Sequence, residues 1–222
     1  MQYRNPLLLA CLAGIASFLC LARGAESETR RGDTGAPEAW VSIQPAPDLS
    51  GWTRVAIPPT NRLGRAQWHT EAGSGVLVCD GDGGHEMLRW DRELRDCVFH
   101  VEFRYTPAMG TNRNYNSGIF IRNSADGVIW HQAQLTLDGG YLFGNTLTNG
   151  QAARFRLPPL EPRMKPVGEW NTMEVTARGK TLSVWFNGAV TCAWPDCAVP
   201  KGYLALEAEG YRIEFRNLKV RE

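Results

Sequence analysis

Through the middle and the C-terminal part of the chain, apolar and polar side chains alternate one for one, the period of a strand with one buried face. In residues 98–105, Phe99, Val101, Phe103 and Tyr105 share one face; His100, Glu102 and Arg104 share the other. In residues 118–122, Ile119 and Ile121 oppose Gly118, Phe120 and Arg122. In residues 130–137, Ala133, Leu135 and Leu137 oppose Gln132, Gln134 and Thr136. Leu182, Val184 and Phe186 alternate into Asn187-Gly188, the strongest signal for a two-residue hairpin turn. Arg178-Gly179-Lys180 offers a second tight turn, after a strand around Met173, Val175 and Ala177. The last two strands are expected at 203–209 and 213–220; in the first, Glu207 and Glu209 oppose Leu204, Leu206 and Ala208. No stretch keeps a helical apolar pattern long enough for a substantial helix, and no internal repeat is present. Many short strands at regular spacing predict an all-β sandwich or barrel.

Composition agrees: 23 Gly, 13 Pro and 8 Trp in 222 residues suit turns and aromatic surfaces, and 43% hydrophobic content excludes general disorder. A net charge of +1 gives no electrostatic reason to expect nucleic acid or an anionic membrane as partner. At the N-terminus, Arg4 precedes an apolar run at 7–21 and the small residues Ala22, Gly24 and Ala25. This predicts a signal peptide over residues 1–24, cut after Ala22 or Gly24, and a periplasmic or secreted protein. The run is short for a membrane-crossing helix of about 20 residues, so no transmembrane segment is expected after cleavage. Residues 25–47, interrupted by glycines and prolines, read as a polar linker or N-terminal wrap, and 48–222 as one domain of about 175 residues. Export permits a local disulfide between Cys192 and Cys197; the alternative leaves these two, with Cys79 and Cys97, as buried small hydrophobes. No cysteine pair has zinc or redox spacing.

Four segments in order, "NSGIFIR" at 116–122, "KPVGEWNTMEV" at 165–175, "VWFNGAV" at 184–190 and "KGYLALEAEGYRIEFRNLKVRE" at 201–222, together resemble the 3-keto-disaccharide hydrolase family. The resemblance covers about residues 48 to 222. It implies a concanavalin/laminin-G-like jelly roll of two antiparallel sheets, with the ligand on the concave face. It also implies oligosaccharide or glycoside substrates whose glucose unit is oxidised at the 3-hydroxyl, supplied by an upstream sugar 3-dehydrogenase. Many members carry Glu ahead of the Gln in the strand after "SGIFIR"; Gln132 stands there in this chain, which bears against acid–base work at that position. "GGYLFGNTLTNGQ" at 139–151 resembles a family branch with its own loop.

A carbonyl at C3 acidifies the C2 proton, so cleavage by elimination at C1 and rehydration needs a base, a group that stabilises the enolate and an acid. The expected catalytic set is Arg122, Glu102, His131, Asp138 and Glu209, with Glu207 a further carboxylate. Arg122, on the Gly118 face, is expected to donate to sugar oxygens or to an enolate, or to pair with Glu102. Substrate is expected to meet His85, Tyr115, Asn116, Phe120, Gln132, Gln134 and Tyr141, while Trp130, Phe143 and Trp185 are further stacking candidates. His85 and His131 are candidate bases, or ligands with an acid to a divalent metal such as calcium; His69 and His100 read as surface or packing residues. The Gly-rich stretch at 81–88 predicts a mobile rim loop exposing His85 and Glu86. The expectation is an exported glycoside-cleaving hydrolase or lyase. The alternatives are a non-catalytic carbohydrate-binding module and an envelope adhesion or scaffolding protein.

Overall fold

The computed structural model describes residues 39–109 and 113–222. The expected signal peptide at 1–24, and residues 25–38 of the expected linker, lie outside the described residues. In chain order the strands are β1 (Val41–Ser42), β2 (Trp52–Ala56), β3 (Trp68–Thr70), β4 (Leu77–Cys79), β5 (Glu86–Trp90), β6 (Cys97–Tyr105), β7 (Gly118–Asn123) and β8 (Trp130–Gln134). They continue as β9 (Leu142–Thr148), β10 (Gln151–Leu157), β11 (Asn171–Arg178), β12 (Thr181–Phe186), β13 (Ala189–Trp194), β14 (Tyr203–Ala208) and β15 (Ile213–Arg221).

These strands form two antiparallel sheets, and no helix occurs among the described residues. The fold is the expected concanavalin-like jelly roll. One sheet runs β13-β12-β11-β6-β15-β4-β3, with β1 also paired to β15; the other runs β10-β9-β8-β7-β14-β5-β2. No described helix is long and apolar enough to cross a membrane.

The alternation places the core. Phe99, Val101 and Phe103 of β6, Ile119 and Ile121 of β7, and Leu204 and Leu206 of β14 have no or almost no accessible surface and join one apolar cluster. Each such side chain contributes about 1.5–3 kcal/mol by leaving water. The β12–β13 turn is Asn187-Gly188, both at positive φ (42° and 102°), as a two-residue turn matching strand twist requires. Asn187 also ties this turn down, accepting the Thr172 N–H at 2.9 Å and donating to the Arg163 carbonyl at 2.7 Å.

All four described cysteines are buried free thiols. The Cys192–Cys197 bridge is therefore not formed: Cys192 Sγ lies 3.8 Å from the Leu157 carbonyl and Cys197 Sγ 3.6 Å from His131 Nε2. Burial pushes the Cys79 and Cys97 thiols up to about 12.

One irregularity redirects several side chains. Phe120 faces Ala205 across the β7–β14 ladder, but Asn123, not Arg122, faces Tyr203, so β7 carries one extra residue. Arg122 sits at φ 52°, the left-handed region that a bulge residue adopts. Alternation therefore breaks at Arg122.

His131, on the core face of β8, is fully buried with Nε2 2.9 Å from Thr146 Oγ1. Burial disfavours its charged form and pulls its pKa down to about 4. Because this lies below the unfolded value of about 6.5, stability is lost as pH falls from 6.5 toward 4, on the order of 3 kcal/mol in full. Proton NMR titration should show the His131 ring neutral down to about pH 5; a midpoint near 6.5 would contradict its burial.

Candidate functional site

The outward face of the seven-stranded sheet holds a cavity of about 730 Å³. Every strand of that sheet contributes to its lining, with Ala56, Met87, Glu207, Phe120, Gln132, Phe143 and Arg154 as examples.

One half is polar and closed upon itself. Glu207 of β14, only 3% exposed, accepts from Gln132 Nε2 at 2.6 Å and meets His85 Nε2 at 2.9 Å. Gln132 belongs to β8, and β7 runs between β8 and β14. Its amide crosses β7 at Gly118, where any Cβ would fall on the Gln132 side chain. A second row runs parallel: Gln134 donates to Asn116, and Asn116 Nδ2 donates to Glu209 Oε2 at 2.6 Å. Gln132 Nε2 also reaches Gln134 Oε1 at 2.9 Å and joins the rows. His85 Nε2 lies 3.9 Å from Glu209 Oε2 and closes the circuit.

The electrostatics follow from this packing. Burial lowers the His85 pKa, but the Glu207 hydrogen bond and the Glu207 and Glu209 charges outweigh it, so the net shift is upward. Glu209 is raised by burial and by Glu207, with His85 opposing. Both groups thus move toward the range where acids and bases exchange protons near neutrality. Among the described residues, one ligand atom each from His85, Glu207 and Glu209 lie within 4.8 Å of one another, a set able to hold a divalent cation. The imidazole suits zinc-, iron- or nickel-like ions better than calcium, which takes oxygen ligands.

The other half is aromatic. Trp130 meets Phe143 edge to face at 5.0 Å and Phe120 at 6.2 Å; Tyr141 lies 5.6 Å from Phe143. Arg154 of β10 lies over the Trp130 ring at 5.0 Å.

The cavity thus brings together Glu209, His85, Asn116, Phe120, Gln132, Gln134 and Tyr141 from the expected set. The rest of that set requires correction. Arg122 is turned away by the bulge, 1% exposed, donating to the Gly179 and Val199 carbonyls at 2.7 and 3.0 Å and to Asp96 at 2.9 Å. Glu102 is on β6 in the other sheet, bound to Arg216 and Asn217 at 2.7 and 2.6 Å. His131 faces the core. Asp138 is exposed in the turn after β8, accepting from Thr136, outside the cavity lining. Tyr115 is a core residue whose hydroxyl accepts the Ala108 N–H at 2.8 Å. Trp185 is on β12 of the other sheet. Glu86, expected exposed, is 1% exposed, held by Arg54 and by the Trp68 indole N–H. Asn123 and Arg154 enter the lining without having been expected.

The model of the 3-keto-alpha-glucoside-1,2-lyase-like domain family matches residues 39–221. The sequence has no significant match among curated proteins. Among solved structures, carbohydrate-binding module CBM66 from Bacillus subtilis is 14% identical with a TM-score of 0.57, covering 78% of this chain and 96% of its own. A candidate glycosyl hydrolase from Parabacteroides distasonis is 17% identical with a TM-score of 0.53, covering 77% and 99%. A β-1,3-1,4-glucanase (lichenase) from a mouse hindgut metagenome is 12% identical with a TM-score of 0.50, covering 77% and 92%. At such identities the likeness establishes the fold.

Arg122→Ala should leave the buried Val199 carbonyl unpaired and open a void, costing about 3 kcal/mol and about 10 °C of melting temperature. An unchanged melting temperature would refute this anchoring role. Gly118→Ala should displace the Gln132 amide from Glu207; an unperturbed Gln132 side-chain NMR resonance would refute the crossing.

Proposed function

Because the chain belongs to the 3-keto-alpha-glucoside-1,2-lyase-like domain family, we propose that the cavity cleaves the glycosidic bond of sugars that carry a ketone at C3. The observation that carries this reading is the cluster of His85 and Glu209, both with raised pKa values, anchored on buried Glu207 at the cavity floor. In this reading the Glu209 carboxylate takes the acidic C2 proton. The electron pair passes through the C2–C3 enolate into a C1=C2 bond, and the C1–O bond to the leaving group breaks. Protonated His85 gives its proton to the departing oxygen. Water then adds at C1 while a proton returns to C2, which completes a net hydrolysis with the C3 ketone retained.

Glu207 and Glu209 stand two residues apart on the same floor and share His85, whose Nε2 lies 2.9 Å from the one and 3.9 Å from the other.

The runner-up is a carbohydrate-binding module without catalysis. It draws on Gln132, an amide where many relatives carry an acid, and on the fold shared with CBM66. The apolar run at 7–21 supports export for either reading.

Incubation of the protein with a 3-keto-glucoside or 3-keto-trehalose should release free sugar, with a kinetic isotope effect on deuteration at C2. Glu209→Gln should lower kcat/KM at least about 100-fold. Unimpaired turnover by Glu209→Gln would remove it as the base. Binding without cleavage would establish the module reading, and loss of turnover with a chelator, restored by a divalent cation, would give His85, Glu207 and Glu209 a metal.

A further inference from the structure

Resting on the polar half of the cavity as the reaction centre, we infer that the β9–β10 half receives an anionic substituent, a carboxylate or a sulfate ester, on the leaving part of the substrate. Arg154 and Arg156 of β10 stand directly opposite Asn145 and Phe143 of β9, both of which line the cavity. The two arginines therefore share the cavity's face of the sheet, and Arg154 is itself part of the lining. Arg154 lies over the Trp130 ring at 5.0 Å and Arg156 over the Tyr141 ring at 4.3 Å; both rings line the cavity. Both side chains are exposed, and among the described residues neither has an acidic partner. Elsewhere Arg54, Arg104, Arg212 and Arg216 each meet a Glu or an Asp, and Arg221, which lies over Trp40, is outside the cavity lining.

Charge on an edge strand by itself serves solubility. Protection of an edge does not require both guanidiniums to be seated on cavity aromatics. Stacking holds their planes in place, so less side-chain freedom is lost when an oxyanion binds across the fork. The opposite half carries Glu207 and Glu209, which makes the cavity negative toward β14 and positive toward β10. Such a gradient orients a ligand with one charged end.

The spacing sets the ligand's size. Four inter-strand steps separate β14 from β10, about 19 Å in all, which is longer than one sugar ring. A glucose ring over Gln132 and Glu207 leaves its C1 substituent to run across Trp130 and Phe143 toward the arginines. An aromatic or second sugar ring stacks there, and its oxyanion meets Arg154 and Arg156.

The test compares 4-methylphenyl, 4-carboxyphenyl and 4-sulfophenyl glucosides, as both anomers and as their 3-keto derivatives, by titration calorimetry at low and at raised ionic strength. The anionic ligands should bind about fivefold tighter than the methyl compound at low salt, and the advantage should shrink as salt rises. The double variant Arg154→Gln/Arg156→Gln should bring the charged-to-neutral affinity ratio to about one, with retained folding checked by circular dichroism. A carboxylate preference assigns a uronate-like substrate; a sulfonate preference assigns a sulfate ester. Equal affinities in the wild type, or a preference that survives in the double variant, would overturn the inference. Neutral binding that ignores Glu207→Gln would overturn the reaction-centre reading separately, since the charge preference is read as a ratio. Binding by none of these ligands would overturn both.

Discussion

Glu207 places a carboxylate almost out of water on the floor of an open cavity, and much of the neighbouring sequence answers to that one charge. A buried, unpaired carboxylate costs several kcal/mol, so its oxygens need donors with good geometry. One comes from His85 ahead of β5, the other from Gln132 two strands away. Gln132 arrives only because Gly118 on the intervening strand has no side chain. Gln134 and Asn116 then fix the amide orientations and carry the network to Glu209. The charge that needs stabilising and the groups that can move protons thus belong to one circuit.

The two sheets divide the work. On the eight-stranded sheet's outer face, Trp170 lies between Arg104 and Arg216, at 4.6 and 4.0 Å, and those arginines pair with Glu214 and Glu102. On the same strand as Arg216, Lys219 and Arg221 lie over Trp40, at 5.0 and 4.6 Å. The seven-stranded sheet leaves the open side of its acids, its aromatics and Arg154 toward a cavity, with Arg156 over the Tyr141 ring that lines it. The β7 bulge serves both sheets: Arg122 turns away to tie the β11–β12 turn to Asp96 and Val199, while Asn123 takes a place in the lining.

Much of this was legible in the sequence. Period-two alternation assigned the faces of β6, β8 and β14 and put Gln132 with Gln134, and Glu207 with Glu209. The same parity places His131 with Ala133 and Leu135 in the core; its expected catalytic role followed residue type against that pattern. Alternation assigns faces but not sheets, so nothing local told that Glu102 belongs to the sheet opposite the cavity. The bulge at Arg122 puts a non-glycine residue in a left-handed conformation, which no local composition signal announces. The β9–β10 hairpin did carry a signal, Asn149-Gly150, both at positive φ. It is as strong as the one at Asn187-Gly188, and with it the alternation of Arg154 and Arg156 against Phe155 could have been read.

If the Glu207-anchored circuit is where the sugar binds, a crystal structure of Glu209→Gln with a 3-keto-glucoside will hold the keto-sugar ring across β8, β7 and β14. C2 will stand beside residue 209 and the glycosidic oxygen within hydrogen-bond reach of His85. A ring bound on the outer face of the eight-stranded sheet, or in the cavity but away from Glu207, would contradict this placement.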